Sequence, residues 1–245
     1  MNINVLLTPA ELPKATENGA RVAIVIDVLR ASTTICVAFS SGVQAILPSA
    51  SVEEARAMYN ALPKSIRVLG GERQGVKQEG FDLGNSPLEY TPDMVEGKMV
   101  SFTSSNGTAA LQYVREADTV YIGSFMNMQA LAEYIADHHT DRTVEVTIIC
   151  AGNSGTFSLE DACCAGGFAG YLSSYCSSAH LTDSAIAAEC LFSNYNENLL
   201  EFLQNTTHGM YLTDLGFSDD IECAADLNSL TVVPVISGDS IISAT

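Results

Sequence analysis

From residue 143 to residue 245 the chain contains no lysine and no arginine. All 11 Lys and Arg lie before that point, against 29 Asp and Glu, for a formal net charge of −18. A surface so short of cations repels a phosphate backbone, which excludes nucleic acid as a partner. Long apolar runs are also missing. None reaches the roughly 18 residues of a membrane span, so no membrane partner is expected. Met1-Asn-Ile-Asn-Val-Leu-Leu lacks the basic region and small-residue cleavage site of a signal peptide. These absences predict a soluble, cytoplasmic protein. No Cys-x-x-Cys pair occurs, and the seven cysteines are an odd, scattered set at 36, 150, 163, 164, 176, 190 and 223. That argues against a disulfide framework and against a zinc site. The adjacent Cys163-Cys164 reads as two small apolar residues packed in a helix rather than as a redox device.

What is present suits a folded core. Hydrophobic residues make up 47% of 245 positions, enough for one large domain or two compact halves. Strand signals fall at Val22–Ile26, 45–47, 66–69, 99–103, 119–122, Val144–Cys150 and 232–236. Helix signals fall at Ser32–Phe39, from Ser51 onward with a capping-box spacing to Glu54, after Asn106 through about Val114, at 128–136, from Leu159 with Ser158 as N-cap, and across 182–205. Strand-then-helix alternation predicts an α/β fold, with a mainly parallel or mixed sheet covered by helices. Residues 22–38 and 144–166 share a layout of apolar strand, small polar loop and hydroxyl-rich helix start. That likeness suggests two related α/β halves, 1–125 and 126–245, within what can also be a single compact unit.

Four loops at strand ends carry the chemistry. The first is Asp27, Arg30, Ser32, Thr33 and Thr34. The second runs from Gly70-Gly71-Glu72-Arg73 to Gly84-Asn85-Ser86-Pro87. The third is Thr103-Ser-Ser-Asn106-Gly107-Thr108, and the fourth is Cys150-Ala-Gly-Asn153-Ser-Gly155 leading to Glu160 and Asp161. Parallel strands would bring them to one edge of the sheet, where ligands of open α/β proteins bind. Their content suits an anionic phosphorylated ligand. Glycines let backbone N–H groups approach an anion. Arginine forms a bidentate fork on phosphate or carboxylate. Carboxylates suit Mg²⁺.

Each piece has a plainer use. Asp27 caps a turn, or pairs with Arg30. Glu72-Arg73 forms an exposed turn, Asn106-Gly107 a common turn dipeptide, and Asp161 serves a helix dipole. It is four such loops together that point to a site. A P-loop, a Gly-x-Ser-x-Gly elbow and a His-Glu-x-x-His motif are all absent. His138, His139, His180 and His208 fall outside the four loops, and each reads as a surface or core residue.

Taken together, these stretches resemble one family, the 2-phosphosulfolactate phosphatase or ComB family. The resemblance rests on Ile26-Asp27-Val-Leu-Arg30-Ala-Ser-Thr33, Gly71-Glu72-Arg73, Gly80-Phe-Asp-Leu-Gly84-Asn-Ser-Pro87, Asn106-Gly-Thr108, Cys150-Ala-Gly152 and Phe157-Ser-Leu-Glu-Asp161. It continues more loosely through 212–221 and 232–235. It implies a fold of the family's own type and Mg²⁺-dependent hydrolysis of 2-phospho-3-sulfolactate to sulfolactate and phosphate, a step toward coenzyme M. On that reading Asp27, Arg30 and Glu72 are the catalytic candidates, and Asp27, Glu72 and Asp161 the candidate Mg²⁺ ligands. Ser32, Thr33, Arg73, Asn85, Asn106, Gly107, Thr108 and Asn153 would bind a small polyanionic substrate. Arg30, Arg73 and Lys77 would carry its charge. Whether Asp27 is ligand, base or nucleophile stays open. Two alternatives remain, a phosphatase for another small phosphorylated hydroxy acid and a non-catalytic organic-anion binder. A symmetric homodimer is the base-rate expectation for assembly.

Overall fold

A computed structural model describes residues 1–8, 21–105, 117–141 and 144–245. In the first part of the chain, β1 is Asn2–Leu6, β2 Arg21–Ile26, α1 Ala31–Ser40, β3 Ala45–Pro48 and α2 Val52–Ala61. β4 is Arg67–Arg73, β5 Val76–Lys77, α3 Pro92–Val95 and β6 Met99–Thr103. Next come β7 Thr119–Gly123, α4 Met128–His138, β8 Glu145–Cys150, α5 Leu159–Tyr175, β9 His180–Leu181 and α6 Asp183–Tyr195. α7 Leu199–Gln204, α8 Thr207–Asp214 and α9 Ser218–Ala224 precede the hairpin of β10 Pro234–Ser237 and β11 Ser240–Ser243. The helix expected after Asn106 lies outside the described residues. Among the described residues no helix is long and apolar enough to cross a membrane.

The strands form one mixed sheet in the order β5-β4-β6-β3-β11-β10-β7-β2-β8-β1-β9. Strands from before and after residue 126 therefore alternate within it. β2 runs parallel to both β7 and β8, and β1 parallel to β8 and β9. β4, β6 and β3 form a second parallel block. The β10–β11 hairpin joins the blocks through antiparallel pairs, Val235 with Tyr121 and Ile241 with Ile46. Three antiparallel steps reverse the second block relative to the first, so the four loops do not leave one common edge of a uniformly parallel sheet. Six strand-to-strand steps separate β2 from β4, and residues at the ends of both strands line one cavity.

β2 is apolar on both faces because both are covered. Val22, Ile24 and Ile26 pack with Val146, Ile148 and Phe168, on the side of α4, α5 and α6. Ala23 and Val25 pack with Ile35, Phe39, Ile46 and Phe102, on the side of α1 and the second block. The α5–α6 contact is close because α5 carries Gly166, where an added Cβ would collide with the Ala188 carbonyl oxygen. Cys163 and Cys164, wholly buried free thiols, sit in the same helix as packing residues.

Helix starts follow the expected capping chemistry. Ser51 Oγ accepts the Glu54 N–H at 3.1 Å, while Glu54 accepts from Ala50 rather than from the cap residue itself. Ser158 caps α5 by accepting the Asp161 N–H at 3.4 Å. Two differences from the expected strands stand out. β1 is not among them: its Asn4 is served from outside the strand, where Oδ1 accepts Thr182 Oγ1 at 3.0 Å and Ser184 Oγ at 3.3 Å. The expected strand at 232–236 is the first arm of a hairpin, turned at Gly238-Asp239 with Gly238 at φ 61°, a two-residue turn that glycine permits.

Candidate active site

Asp27 follows β2 directly, at the point where the chain turns into α1. Its backbone is locked by Ser32: the Asp27 N–H donates to Ser32 Oγ at 3.2 Å, and the Ser32 N–H donates to the Asp27 carbonyl at 2.8 Å. Thr33 Oγ1 donates to the Val28 carbonyl at 2.8 Å. The hydroxyls of Ser32 and Thr33 thus hold the turn, as caps do, and the carboxylate is left at the head of α1. Burial pushes its pKa up to about 6, Glu72 and Glu160 add repulsion, and His208 with the Ala31 N–H draws it back.

Asp161 ties this turn to the next strand end. Its Oδ1 accepts the Val28 N–H at 2.9 Å and its Oδ2 the Gly152 N–H at 3.0 Å. Each carboxylate oxygen therefore already holds one backbone donor, and Asp161 does not line the cavity beside Asp27. Burial, with Glu160 and Asp27 nearby, pushes its pKa well above the carboxylate range against those two donors. Its evident role is to clamp the β2 and β8 loops together.

Glu72 lies near the end of β4, just after Gly71, whose φ of 127° and contact with the Thr103 backbone leave no space for a side chain. The Glu72 carboxylate is buried and oriented by three donors. Oε2 accepts the Gly75 N–H at 2.7 Å and Ser105 Oγ at 3.1 Å, and Oε1 accepts the Ser105 N–H at 2.7 Å. Asn85 reaches the same wall. Its carbonyl accepts Thr34 Oγ1 at 2.9 Å, and its side-chain Oδ1 is buried with no hydrogen-bond partner among the described residues. A buried unpaired acceptor costs about 1–3 kcal/mol, so this one calls for a functional reason.

These groups surround a cavity of about 360 Å³, within the range of small-molecule sites. The first loop contributes Asp27, Leu29 and Arg30, and the second Glu72, Gln74, Gly75 and Asn85. Ser105 comes from the third, Asn153 and Ser154 from the fourth. Asn106, Gly107 and Thr108 lie outside the described residues. α8 adds His208, Tyr211 and Leu212.

The arginines stand differently from expectation. Arg30 pairs not with Asp27 but with Asp220 of α9, Nη1 to Oδ2 at 2.7 Å, and its Nη2 donates to the Gly75 carbonyl at 2.6 Å. Its guanidinium lies 4.1 Å from the Phe217 ring centroid. Arg73 lies outside the cavity lining. Its Nη1 donates to the Glu72 carbonyl at 2.7 Å, and its Nη2 to Thr103 Oγ1 at 2.7 Å and the Ala50 carbonyl at 3.2 Å. It braces the β4–β6 end. Lys77 is half-exposed and pairs with Glu89 at 3.4 Å.

Two site residues escape sequence reasoning, His208 and Asp220. Asp220 sits in Asp219-Asp220-Ile-Glu222, which reads as a solvated acidic helix start, and nothing local marks one of those carboxylates as buried. His208 follows Thr206, whose Oγ1 caps α8 by accepting the Gly209 N–H at 3.0 Å. The cap is readable from sequence, but the cavity it faces is not. His208 Nδ1 lies 3.4 Å from Glu160 Oε1. Burial works against the Glu160 charge, but the hydrogen bond and attraction of His208, together with the Glu160 backbone N–H and the Ser158 hydroxyl, outweigh it and hold that carboxyl below its usual value.

Comparison with known proteins converges on one group. A family model described as 2-phosphosulpholactate phosphatase matches residues 6–239. A Symbiobacterium thermophilum protein named probable 2-phosphosulfolactate phosphatase is 40% identical over 231 residues, 94% of this chain and 97% of its own length. A Prochlorococcus marinus protein of the same name is 40% identical over 214 residues, 86% of this chain and 87% of its own. One from Microcystis aeruginosa, again so named, is 36% identical over 243 residues, covering 99% of both chains.

Proposed function

The chain belongs to the 2-phosphosulfolactate phosphatase family, and on that basis we propose that it is a phosphoric monoester hydrolase converting 2-phospho-3-sulfolactate to 3-sulfolactate and phosphate. The reaction is of the kind that serves coenzyme M synthesis. The observation that carries the reading is the cavity wall itself. Two buried carboxylates, Asp27 and Glu72, stand with an unpartnered amide oxygen, Asn85 Oδ1. Arg30, the arginine in that wall, is already paired with Asp220. A polyanion entering such a wall needs a cation beside it.

The donor set suits Mg²⁺, which takes hard oxygen ligands, commonly one or two carboxylates completed by substrate and water. Asp27, Glu72 and Asn85 are the residues that would hold it. Among the described residues no cluster of three or more His, Cys, Asp or Glu could hold a metal ion by itself, so substrate and water oxygens would have to complete the ligand set. When bound, the ion would neutralise phosphoryl oxygens and polarise the ester. The chain's own residues do the rest. Gly75 and Ser105 fix the orientation of Glu72 through their N–H groups. Asp161 fixes the loop that carries Asp27. Asn153 and Ser154, which line the same cavity, would hydrogen-bond the non-reacting acid groups.

The test is phosphate release from a panel of phosphorylated hydroxy acids with Mg²⁺ and then with EDTA. Release that favours 2-phospho-3-sulfolactate and stops with EDTA is expected. Preference for a substrate lacking the sulfonate would move the assignment to another hydroxy acid. Absence of metal-dependent release from every member would overturn the enzyme reading.

A further inference from the structure

His208 is one residue in the cavity wall that the proposed chemistry has not used. It lies in the first turn of α8, with 15% of its side chain exposed, and it lines the same cavity as Asp27. Nδ1 faces the almost fully buried carboxylate of Glu160 at 3.4 Å. Glu160 itself is fixed in the first turn of α5, so one edge of the imidazole is anchored. A hydrogen bond at one ring nitrogen sets the tautomer and the direction of the other. Nε2, on the far edge, is therefore turned away from Glu160, and among the described residues it has no hydrogen-bond partner.

The surrounding cations make this nitrogen matter. Both terminal nitrogens of Arg30 are engaged, by Asp220 and by the Gly75 carbonyl. Those of Arg73 are engaged by three oxygens, and Arg73 itself lies outside the cavity lining. His208 is thus a cavity-lining side chain with an uncommitted nitrogen aimed away from its anchor. We propose that Nε2 of His208 hydrogen-bonds a phosphoryl oxygen of the bound ligand directly, donating to the oxyanion when both ring nitrogens carry protons and accepting from a P–OH when the one ring proton sits on Nδ1 against Glu160, and that Glu160 is the positioning residue that presents it. The inference rests on the reading of the cavity as a phosphatase site, and it names the phosphoryl group as the ligand chemistry.

The test uses the full chain labelled with ¹⁵N-histidine and inorganic phosphate with Mg²⁺ as the probe, with methanesulfonate as a second arm. Phosphate is expected to move the His208 Nε2 resonance and to leave those of His138 and His180 in place. His208→Asn keeps an amide near the Nδ1 position and places nothing at Nε2. His208→Gln places an amide near Nε2. The Asn variant is expected to weaken phosphate binding at least tenfold, and the Gln variant to recover most of that loss. Glu160→Gln is expected to raise KM more than it lowers kcat, since it loosens the ring without removing it. A response to methanesulfonate but not to phosphate would overturn the phosphoryl assignment. Phosphate binding that leaves Nε2 unmoved would overturn the contact, and this measurement on the unaltered chain stands even where a variant fails to fold. Phosphate binding through His208 without turnover of any phosphorylated hydroxy acid would instead count against the phosphatase reading and leave the contact in place.

Discussion

Arg30 and Asp220, 190 positions apart in sequence, meet at 2.7 Å with both side chains almost fully enclosed. Asp220 also accepts Ser86 Oγ at 2.6 Å through its other oxygen. One carboxylate thereby joins the β2 turn, the Asn85-Ser86 loop and α9. Removing one member of a buried pair leaves the other charge uncompensated, at about 3–5 kcal/mol. Asp220→Ala is expected to lower unfolding free energy by that amount in urea. The double variant Arg30→Met, Asp220→Leu is expected to recover much of the loss. Equal destabilisation of the double and the single variant would show that the pair is not the source.

Asp27 sets a pH dependence with a definite sign. An ordinary aspartate in the unfolded chain ionises near 3.8, whereas in the folded protein burial holds this one to about 6. Between those values the folded state binds the extra proton, so stability falls as pH rises. The rise corresponds to on the order of 3 kcal/mol. Asp27→Asn, measured in EDTA, is expected to melt higher than the parent above pH 6. The gap should close as pH falls toward 4. In the same variant kcat/KM is expected to drop far more than tenfold. A parent whose melting temperature rises between pH 4 and pH 6 relative to the variant would contradict the burial argument.

Two glycines in α5 should respond in opposite directions to the same substitution. At Gly166 a Cβ collides with the Ala188 carbonyl, so Gly166→Ala is expected to destabilise by about 3 kcal/mol, as overpacking does. At Gly170 the nearest atom is a side-chain oxygen of Glu189 at 3.4 Å, an ordinary contact. There the helical preference for alanine, about 1 kcal/mol, is unopposed, and Gly170→Ala is expected to raise the melting temperature. Thermal unfolding of the two variants side by side checks the pair.

Thiol reactivity should divide along burial. Burial pushes the Cys36 and Cys163 thiols up to about 12, and Cys164 well above its usual value. Cys190 is exposed, and the Ser178 hydroxyl holds the half-buried Cys176 thiol below its usual value. Mild alkylation of the native protein followed by peptide mass mapping is expected to mark Cys176 and Cys190 and to spare Cys36, Cys163 and Cys164. Early labelling or oxidative pairing of Cys163 with Cys164 would contradict the packing role assigned to them.

Much of the architecture is legible in the chain because the physics behind it is local. Val22–Ile26 and the run into Cys150 announce buried parallel strands, and Ser51 and Ser158 announce helix starts. The meeting of Asp27, Glu72 and Asn85 is legible as a pattern of loops. What escapes depends on distant partners. Nothing near Arg30 shows that its guanidinium is claimed by Asp220, and nothing near His208 shows that Glu160 anchors it. β1 escapes for a related reason, since its Asn4 finds its partners in Thr182 and Ser184. The reversal between the two strand blocks is likewise invisible until β10 and β11 are placed between them.

That placement has a consequence for assembly. β10 and β11 follow every other described strand in the chain, yet they lie between β3 and β7 in the sheet. Until residues beyond 233 are available, β3 and β7 each present a raw edge, the kind of surface that recruits strands from other molecules. The nascent protein therefore carries two sticky seams through most of its synthesis. The hairpin closes both at once, pairing Val235 with Tyr121 and Ile241 with Ile46. Long-range closure of this kind is slow, which makes the late hairpin the step where folding and aggregation compete most directly.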